Sequence, residues 1–348
     1  MTPKEIYKTI LTSLTNTEAK DNILLKGMPG VAKTAVIKQA AAEAGYELLI
    51  VHGVTSDPID GKGLPAIIND PLTMEQSAEF LPFGDMKRII NAKEPLLVFL
   101  DDIGQAPKAV QAAWMQPLHD RALNGFKVPD CVRFIAATNR REDRAGVSGV
   151  ISALVSRFPI NVTIEPDLQS WAEYSMTDET INPTVVSFAR FVHQGGDPVF
   201  KFDPSAELEN PSVPRTLTAL GRLHKCFGDS IALELIQGCI GEAMGTKFKA
   251  FMDTYRKLPN PDSIFLNPEA APVPDRADVL FALTGVLAAR ATVSNIENLM
   301  KYEERLPREF AVSMAKDINL RDQKLGLGIS THPAMVRWMV TNSEVLFD

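Results

Sequence analysis

The sequence contains few cysteines and no long apolar run. Its three cysteines are odd in number and lack CxxC spacing, which gives no indication of a disulfide framework or a zinc site. It has no run of about 18 apolar residues, and its first residues lack the basic, apolar and small-residue order of a secretory signal. We therefore predict a cytoplasmic protein with no membrane segment and with buried free thiols.

An excess of basic charge is also absent. Lys and Arg total 36 against 43 Asp and Glu, so the formal net charge is −7. Because binding nucleic acid through the overall field needs clustered Lys and Arg, this balance argues against a nucleic-acid partner and leaves open only a local basic pore in a ring. A chain of 348 residues with 45% hydrophobic content is long enough for two or three soluble domains.

A glycine-rich loop between a predicted strand and a predicted helix is the strongest signal. The apolar run 22–26 is typical of a buried strand, and the alanine-rich run 35–44 is typical of a helix. Successive N–H groups of such a loop can bind a polyphosphate at the helix N-terminus. The residues of the loop are Gly27, Met28, Pro29, Gly30, Val31, Ala32, Lys33 and Thr34.

Within this loop, Lys33 is predicted to reach the β- and γ-phosphates of a nucleotide, and the Thr34 hydroxyl to hold Mg²⁺. The alternative is a strand-to-helix turn with a surface lysine. Ala32 stands where a glycine normally precedes the lysine, and its methyl group disfavours a positive φ at that position.

Two carboxylates follow a second apolar strand, 96–100. Asp101 is predicted to orient Mg²⁺ through its water shell, and Asp102 to polarise the attacking water as a base. Adjacent carboxylates repel each other, so a neighbouring cation would stabilise them. The alternative is a strand that ends in a solvated acidic turn.

Asn139 and Arg157 follow in the chain. Asn139 ends the predicted strand 132–139, and its amide could hold both the lytic water and a γ-phosphate oxygen; an ordinary Asx turn is the alternative. Arg157 begins the predicted strand 157–162. Supplied from a neighbouring subunit, it would stabilise charge on the transferred phosphoryl group, and a surface salt bridge is the alternative.

These segments, in this order, resemble the motifs of AAA+ ATPases. Residues 27–34, 96–102, 138–139 and 154–158 are similar to Walker A, Walker B, sensor 1 and the arginine finger. Residues 101–107 and 110–113, with 57–58 and 61–65, resemble the MoxR branch more narrowly.

The resemblance implies an α/β P-loop NTPase fold of AAA+ type. It comprises a five-stranded parallel sheet with flanking helices, followed by a helical lid and a helical C-terminal region. It also implies ATP/ADP and Mg²⁺ as ligands, and a hexameric ring whose insertion after the second strand lies near a central pore. Arg215 matches the sensor 2 arginine, which reaches from the lid to the nucleotide. The alternative for Arg215 is a surface arginine, mildly unfavourable at a helix N-terminus.

The predicted organisation has three parts. Residues 1–165 form the nucleotide-binding domain with an insertion at about 53–90, residues 166–257 the lid, and residues 258–348 a Pro-rich linker and helical extension. Segment 53–64 is predicted to be neither helix nor strand. Segments 65–69 and 77–83 are predicted to pair as a hairpin, and five prolines in 258–275 predict an absence of regular helix there.

The function predicted from the sequence is an ATP-hydrolysing, MoxR-type oligomer that remodels a partner protein, and the resemblance implies a client with a von Willebrand factor A domain. Asp102 is one methylene shorter than the family's usual glutamate, so it and Ala32 favour a rival, a nucleotide-dependent switch or scaffold with little hydrolysis. A nucleic-acid motor would need a basic, aromatic-bearing pore. A monomeric P-loop kinase would have no use for Asn139, Arg157 and Arg215 together.

Overall fold

The computed structural model describes the chain except for residues 17, 70–75, 144–148, 206–208, 256–257, 343 and 345–348. The chain divides into two compact units, Met1–Glu165 and Pro166–Asp348. The division falls after Glu165, the residue that ends the first predicted domain. In the part of the chain that is described, no helix is both long and apolar enough to cross a membrane.

The first unit combines short strands with short helices. Its helices are α1 (Pro3–Thr15), α2 (Lys33–Glu43), α3 (Pro58–Lys62), α4 (Gly84–Ile90), α5 (Lys108–Ala113), α6 (Met115–Asp120) and α7 (Ser152–Val155). Its strands are β1 (Ile23–Lys26), β2 (Glu47–His52), β3 (Leu64–Asn69), β4 (Gln76–Leu81), β5 (Leu96–Asp101), β6 (Ala122–Leu123), β7 (Phe126–Lys127), β8 (Val132–Thr138) and β9 (Ile160–Thr163). Two 3-10 turns span Ile103–Gln105 and Arg141–Asp143.

Five strands form one parallel sheet in the order β2-β5-β8-β1-β9. All seven residues of β8 are buried, as are the first five of β5, which is typical of strands covered on both faces. This confirms the five-stranded parallel sheet with flanking helices. Because the strands are parallel, the carboxyl ends of β1, β5 and β8 lie side by side at one edge, where open sheets bind ligands.

The insertion contains one confirmed prediction and one correction. Strands β3 and β4 pair antiparallel, with Leu64 opposite Leu81, as the predicted hairpin requires; residues 70–71, its predicted turn, lie outside the described residues. Segment 53–64, however, is not wholly irregular, because it contains α3. Asp57 caps this helix by accepting from the Ile59 N–H at 2.9 Å, and Pro58 occupies the first helical position, which tolerates proline.

Other element boundaries also differ from the predictions. The apolar residues Val110, Ala113, Trp114 and Leu118 have helical spacing and predict one helix over 109–120. This segment is instead broken at Trp114 into α5 and α6. Strand β9 begins at Ile160, after Pro159, whose nitrogen has no hydrogen to donate to a ladder. The hairpin β6–β7 was not predicted, although its turn is Asn124-Gly125 with φ of 46° and 83°, a pair typical of two-residue hairpin turns.

The second unit is helical. Its helices are α8 (Leu168–Thr177), α9 (Pro183–Gln194), α10 (Pro214–Phe227), α11 (Leu233–Ile240), α12 (Glu242–Tyr255), α13 (Pro261–Leu266), α14 (Ala277–Arg290), α15 (Ile296–Glu303), α16 (Arg308–Leu325) and α17 (Pro333–Thr341). One buried apolar cluster runs from Trp171 in α8 to Trp338 in α17. Residue 258 is therefore not a boundary between compact units, because the predicted lid and extension share this core.

Helix α13 corrects the prediction that 258–275 holds no helix. The Asn260 side chain accepts from the Asp262 N–H at 3.0 Å, and Pro261 is the first helical residue. Proline is compatible with a helix at this position because the N–H that it lacks would have no intrahelical partner there.

Candidate nucleotide site

The glycine-rich loop 27–34, here called the phosphate loop, connects β1 to α2 at the carboxyl ends of the strands. Two of its glycines are required by its conformation and packing. A Cβ at Gly27 would lie 2.6 Å from Ile164 Cγ2 and 2.8 Å from the Ile164 oxygen, so only glycine fits without a shift. Gly30 has a φ of 78°, which side chains rarely adopt. Val31 is fully buried and anchors the loop.

Ala32 adopts the left-handed conformation that its methyl group disfavours. Its φ is 83° and its ψ is 20°, a conformation that costs an L-residue about 1–2 kcal/mol. The side chain of Ala32 provides no cap for α2. A helix N-terminus without a side-chain cap suits an anion, because its first N–H groups need an acceptor.

Lys33 connects the loop to the neighbouring strand β8. Its side chain is buried, and Nζ donates to the carbonyl oxygens of Gly27 at 2.9 Å and Met28 at 3.1 Å. Nζ also donates to Asn139 Oδ1 at 2.7 Å. Asn139 Nδ2 in turn donates to Asp102 Oδ1 at 3.3 Å. The fold thus brings a lysine, an amide and a carboxylate from three predicted motifs into one chain of hydrogen bonds.

A second pair lies beside this chain. The Thr34 hydroxyl donates to Asp101 Oδ2 at 3.2 Å, joining the start of α2 to the end of β5. Hydroxyl and carboxylate oxygens are the donors that Mg²⁺ prefers, usually one or two from the protein with phosphate and water completing the octahedron. Among the described residues no three His, Cys, Asp or Glu side chains are grouped as a metal site.

Asp102 is oriented by its backbone. It has a φ of 53° and a ψ of 37°, in the left-handed region that aspartate tolerates better than most residues. The chain turns there from β5 into the 3-10 turn Ile103–Gln105. Asp101 and Asp102 therefore contact different partners, Thr34 and Asn139, although they are adjacent in the sequence.

Arg157 lies at the opposite edge of the sheet in the same chain. The Asn22 side chain, just before β1, donates to the Arg157 carbonyl oxygen at 2.9 Å. The four residues of β1, about 13 Å at 3.3 Å each, separate this end from the phosphate loop. Arg157 Nη1 donates to the Ala153 oxygen at 2.9 Å, while its buried Nε has no hydrogen-bond partner in the described chain.

Arg215 belongs to the second unit. It is the second residue of α10 and is exposed. Its predicted approach to the nucleotide remains a prediction.

Three groups that organise the site carry little or no signal in the sequence. Asn22 holds the Arg157 carbonyl, and Gln111 is fully buried, donating to the Gly149 oxygen at 3.1 Å and accepting from the Ile151 N–H at 2.9 Å. Gln111 thereby fixes the segment that leads to α7. The third group is the Arg140–Asp143 ion pair. Its hydrogen bonds to the Asp143 carboxylate raise the pKa of the Arg140 guanidinium above its usual value.

For the Arg140–Asp143 ion pair, the sequence offers one signal, which is the spacing of the two charged residues. Arg140 directly follows Asn139, and Asp143 lies three residues later, a distance at which charges meet on one helical turn. Asn22 and Gln111 carry no charge pattern, and their roles depend on backbone groups that are distant in the sequence.

Residues 22–158 match the family described as AAA domain (dynein-related subfamily). Midasin from Giardia intestinalis is 27% identical over 150 residues, which are 41% of this chain and 3% of midasin. A Thermotoga maritima structure described as the RuvB Holliday junction branch migration motor has a TM-score of 0.40 and 17% identity, over 82% of this chain and 80% of that chain. NtrX from Brucella abortus in complex with ADP has a TM-score of 0.35 and 16% identity, over 99% of this chain and 68% of that chain.

The family match covers the residues that carry the phosphate loop, both aspartates, Asn139 and Arg157. The matched residues include strands β1, β5 and β8 and the hydrogen-bonded groups at the carboxyl ends of these strands. Residues 22–158 of the first unit are therefore similar to AAA domains, and the five-stranded parallel sheet with its phosphate loop fits this match.

Proposed function

We propose that this protein binds ATP with Mg²⁺ and hydrolyses it to ADP and phosphate. The observation that carries the proposal is the hydrogen-bonded chain Lys33–Asn139–Asp102 beside the pair Thr34–Asp101. A bound γ-phosphate would compete with carbonyl and amide oxygens for the Lys33 ammonium. Asp102 and Asn139 would then orient the attacking water, while Thr34 and Asp101 hold the metal and its water shell. When bound, Mg²⁺ supplies charge neutralisation between phosphate oxygens.

We further propose that the active form is an oligomer whose sites are shared between subunits. Arg157 lies at the amino edge of the sheet, whereas the phosphate loop of the same chain lies at the carboxyl edge. An arginine that stabilises a γ-phosphoryl group must come within hydrogen-bond distance of it. Arg157 can meet this requirement at a neighbour's nucleotide, and the MoxR resemblance favours a hexamer.

The finer proposal is that hydrolysis remodels a partner protein. The MoxR-like segments around Asp101 and Gly61 favour a client that carries a von Willebrand factor A domain. Arg215 would act as the sensor 2 arginine. A cytoplasmic location is part of the same proposal.

Two other functions are alternatives to ATP-driven remodelling of a partner. A nucleotide-dependent switch is favoured by the strained Ala32 and the short Asp102, both of which would slow turnover. A nucleic-acid motor, the role printed for the Thermotoga protein, would require binding by a chain with a net charge of −7. Salt-dependent binding to single- or double-stranded DNA would support the motor.

The decisive experiment is steady-state ATPase activity measured across protein concentration. Lys33→Ala removes the lysine of the phosphate loop. Arg157→Ala removes the arginine at the opposite, amino ends of the strands. Lys38→Ala is the control for the first, since Lys38 is exposed on the same helix. Arg88→Ala is the control for the second, since Arg88 pairs with Glu47 at the start of β2.

We expect turnover per subunit to rise with concentration, to vanish in Lys33→Ala and Arg157→Ala, and to persist in both controls. ATP binding without turnover in the wild type would establish the switch instead. Mixing Lys33→Ala with Arg157→Ala subunits should restore part of the activity, because some interfaces then combine an intact loop with an intact Arg157. Activity unaffected by Arg157→Ala would refute the shared site.

A further inference from the structure

Asp143 is a buried carboxylate next to the candidate site, and Arg140 neutralises it. The Asp143 side chain is 4% exposed. Arg140 Nε donates to Oδ2 at 3.1 Å and Nη2 donates to Oδ1 at 3.1 Å, a two-pronged arrangement that fixes both side chains. A buried carboxylate is costly without such a partner.

The same carboxylate also binds the backbone beside Asn139. The Arg140 N–H donates to Asp143 Oδ2 at 3.2 Å, and this N–H belongs to the peptide that joins Asn139 to Arg140. The oxygen of that peptide accepts from the Thr138 hydroxyl at 3.1 Å. One peptide plane, directly after Asn139, is therefore held at both ends by buried side chains.

The Asn139 side chain forms hydrogen bonds with two different residues, so a fixed position of its backbone is required to keep both. Its oxygen accepts from Lys33 Nζ and its nitrogen donates to Asp102 Oδ1. Rotation of the following peptide would move the Asn139 backbone and lengthen one or both contacts. The network also extends away from the site, since Arg140 Nη1 donates to Glu165 Oε1 at 3.3 Å.

We propose that Asp143 and Arg140 are positioning residues for the reaction: they lock the peptide after Asn139 so that its amide stands between Lys33 and Asp102. This inference rests on the proposed function, because it assigns a role in orienting the γ-phosphate and the attacking water. Neither residue needs to touch the nucleotide for this role. Their effect is on turnover and on the distinction between ATP and ADP, not on the affinity of the phosphate loop for ADP.

The test uses the full chain with Asp143→Asn. This variant keeps the size of the side chain but removes the charge that holds Arg140. Its matched control is Glu142→Gln, which removes the same charge from the adjacent residue, 73% exposed and 3.5 Å from Arg140 Nε. Asn139→Ala gives the full effect of losing the amide. The measurements are kcat and KM for ATP, and equilibrium dissociation constants for ATPγS and for ADP.

We expect Asp143→Asn to lower kcat by about 10- to 100-fold, the usual range for a misplaced catalytic group. The preference for ATPγS over ADP should fall toward that of Asn139→Ala, while the affinity for ADP stays within about twofold of the wild type. Glu142→Gln should behave as the wild type in every measurement. A purely structural role would instead weaken ADP and ATPγS binding together.

A second variant keeps the inference testable if Asp143→Asn does not fold. Thr138→Val releases the other end of the same peptide and adds no charge. It should lower kcat and the ATPγS preference in the same direction. Wild-type values in a folded Asp143→Asn protein, or in Thr138→Val where the former does not fold, would overturn the inference alone. A wild-type protein that shows neither turnover nor a preference for ATPγS would overturn the proposed function itself.

Discussion

Replacing Ala32 with glycine should stabilise the first unit. Ala32 is held at a φ of 83° and a ψ of 20°, where an L-residue is disfavoured by about 1–2 kcal/mol. Glycine removes this cost but gives the unfolded chain more freedom, which opposes folding by about 0.4–1 kcal/mol. The midpoints of the two ranges, about 1.5 and about 0.7 kcal/mol, leave a net gain of about 0.8 kcal/mol.

The assay is thermal or denaturant unfolding, with the transition of the first unit followed separately from that of the second. For a unit of 165 residues, Met1–Glu165, a change of this size raises Tm by about 1–4 °C. The matched control is Ala42→Gly, because Ala42 is exposed in the same helix, α2, and has ordinary helical geometry. Glycine there should lower the free energy of unfolding by about 0.5–1 kcal/mol.

The two substitutions are chemically identical and have opposite expected signs. If Ala32→Gly destabilised the protein as much as Ala42→Gly, the reasoning from the left-handed backbone would be refuted. The same variant bears on function, because a relaxed loop should bind ATP at least as tightly as the wild-type loop.

Three further perturbations have definite expected outcomes. Gly27→Ala places a Cβ 2.6 Å from Ile164 Cγ2 and should cost about 1–3 kcal/mol by overpacking, together with weakened nucleotide binding measured by titration. Arg190→Leu leaves the buried Asp317, to which it donates at 2.7 Å, without its partner; chemical denaturation should show a loss of about 3–5 kcal/mol, and the double variant with Asp317→Leu should recover most of it. Burial lowers the pKa of His224, so the second unit should be most stable above the unfolded-state value of about 6.5 and lose stability as pH falls through it toward the lower folded-state pKa. His224→Leu should flatten this slope in unfolding curves collected across pH, and an unchanged slope would contradict the assignment.

The sequence predicted the elements that have regular local signals. The apolar runs of β1, β5 and β8 are short and continuous, as buried parallel strands require. Two of the predictions that failed involved prolines. Pro58 and Pro261 lie in segments predicted to contain no helix, yet each is the first residue of a capped helix, because the side chains of Asp57 and Asn260 satisfy the first N–H groups.

The candidate site was predicted only in part. Lys33, Thr34, Asp101, Asp102 and Asn139 could be proposed from residue type and position after a strand. Their mutual contacts could not, since a hydrogen bond between Lys33 and Asn139 depends on β1 and β8 being neighbours in the sheet. The left-handed backbone at Ala32 could not be predicted either, because an alanine side chain disfavours a positive φ.

By itself, then, the sequence determined which residues have the side chains that phosphate chemistry would require and which segments form strands and helices, since these follow from side-chain type and local periodicity. Tertiary structure alone decided which of them meet. The strand order places the ends of β1, β5 and β8 together and Arg157 at the far edge. It also gave Asp143, an ordinary acidic residue in the sequence, a buried position from which it holds the peptide beside Asn139. Such contacts join residues through backbone groups that no sequence pattern encodes.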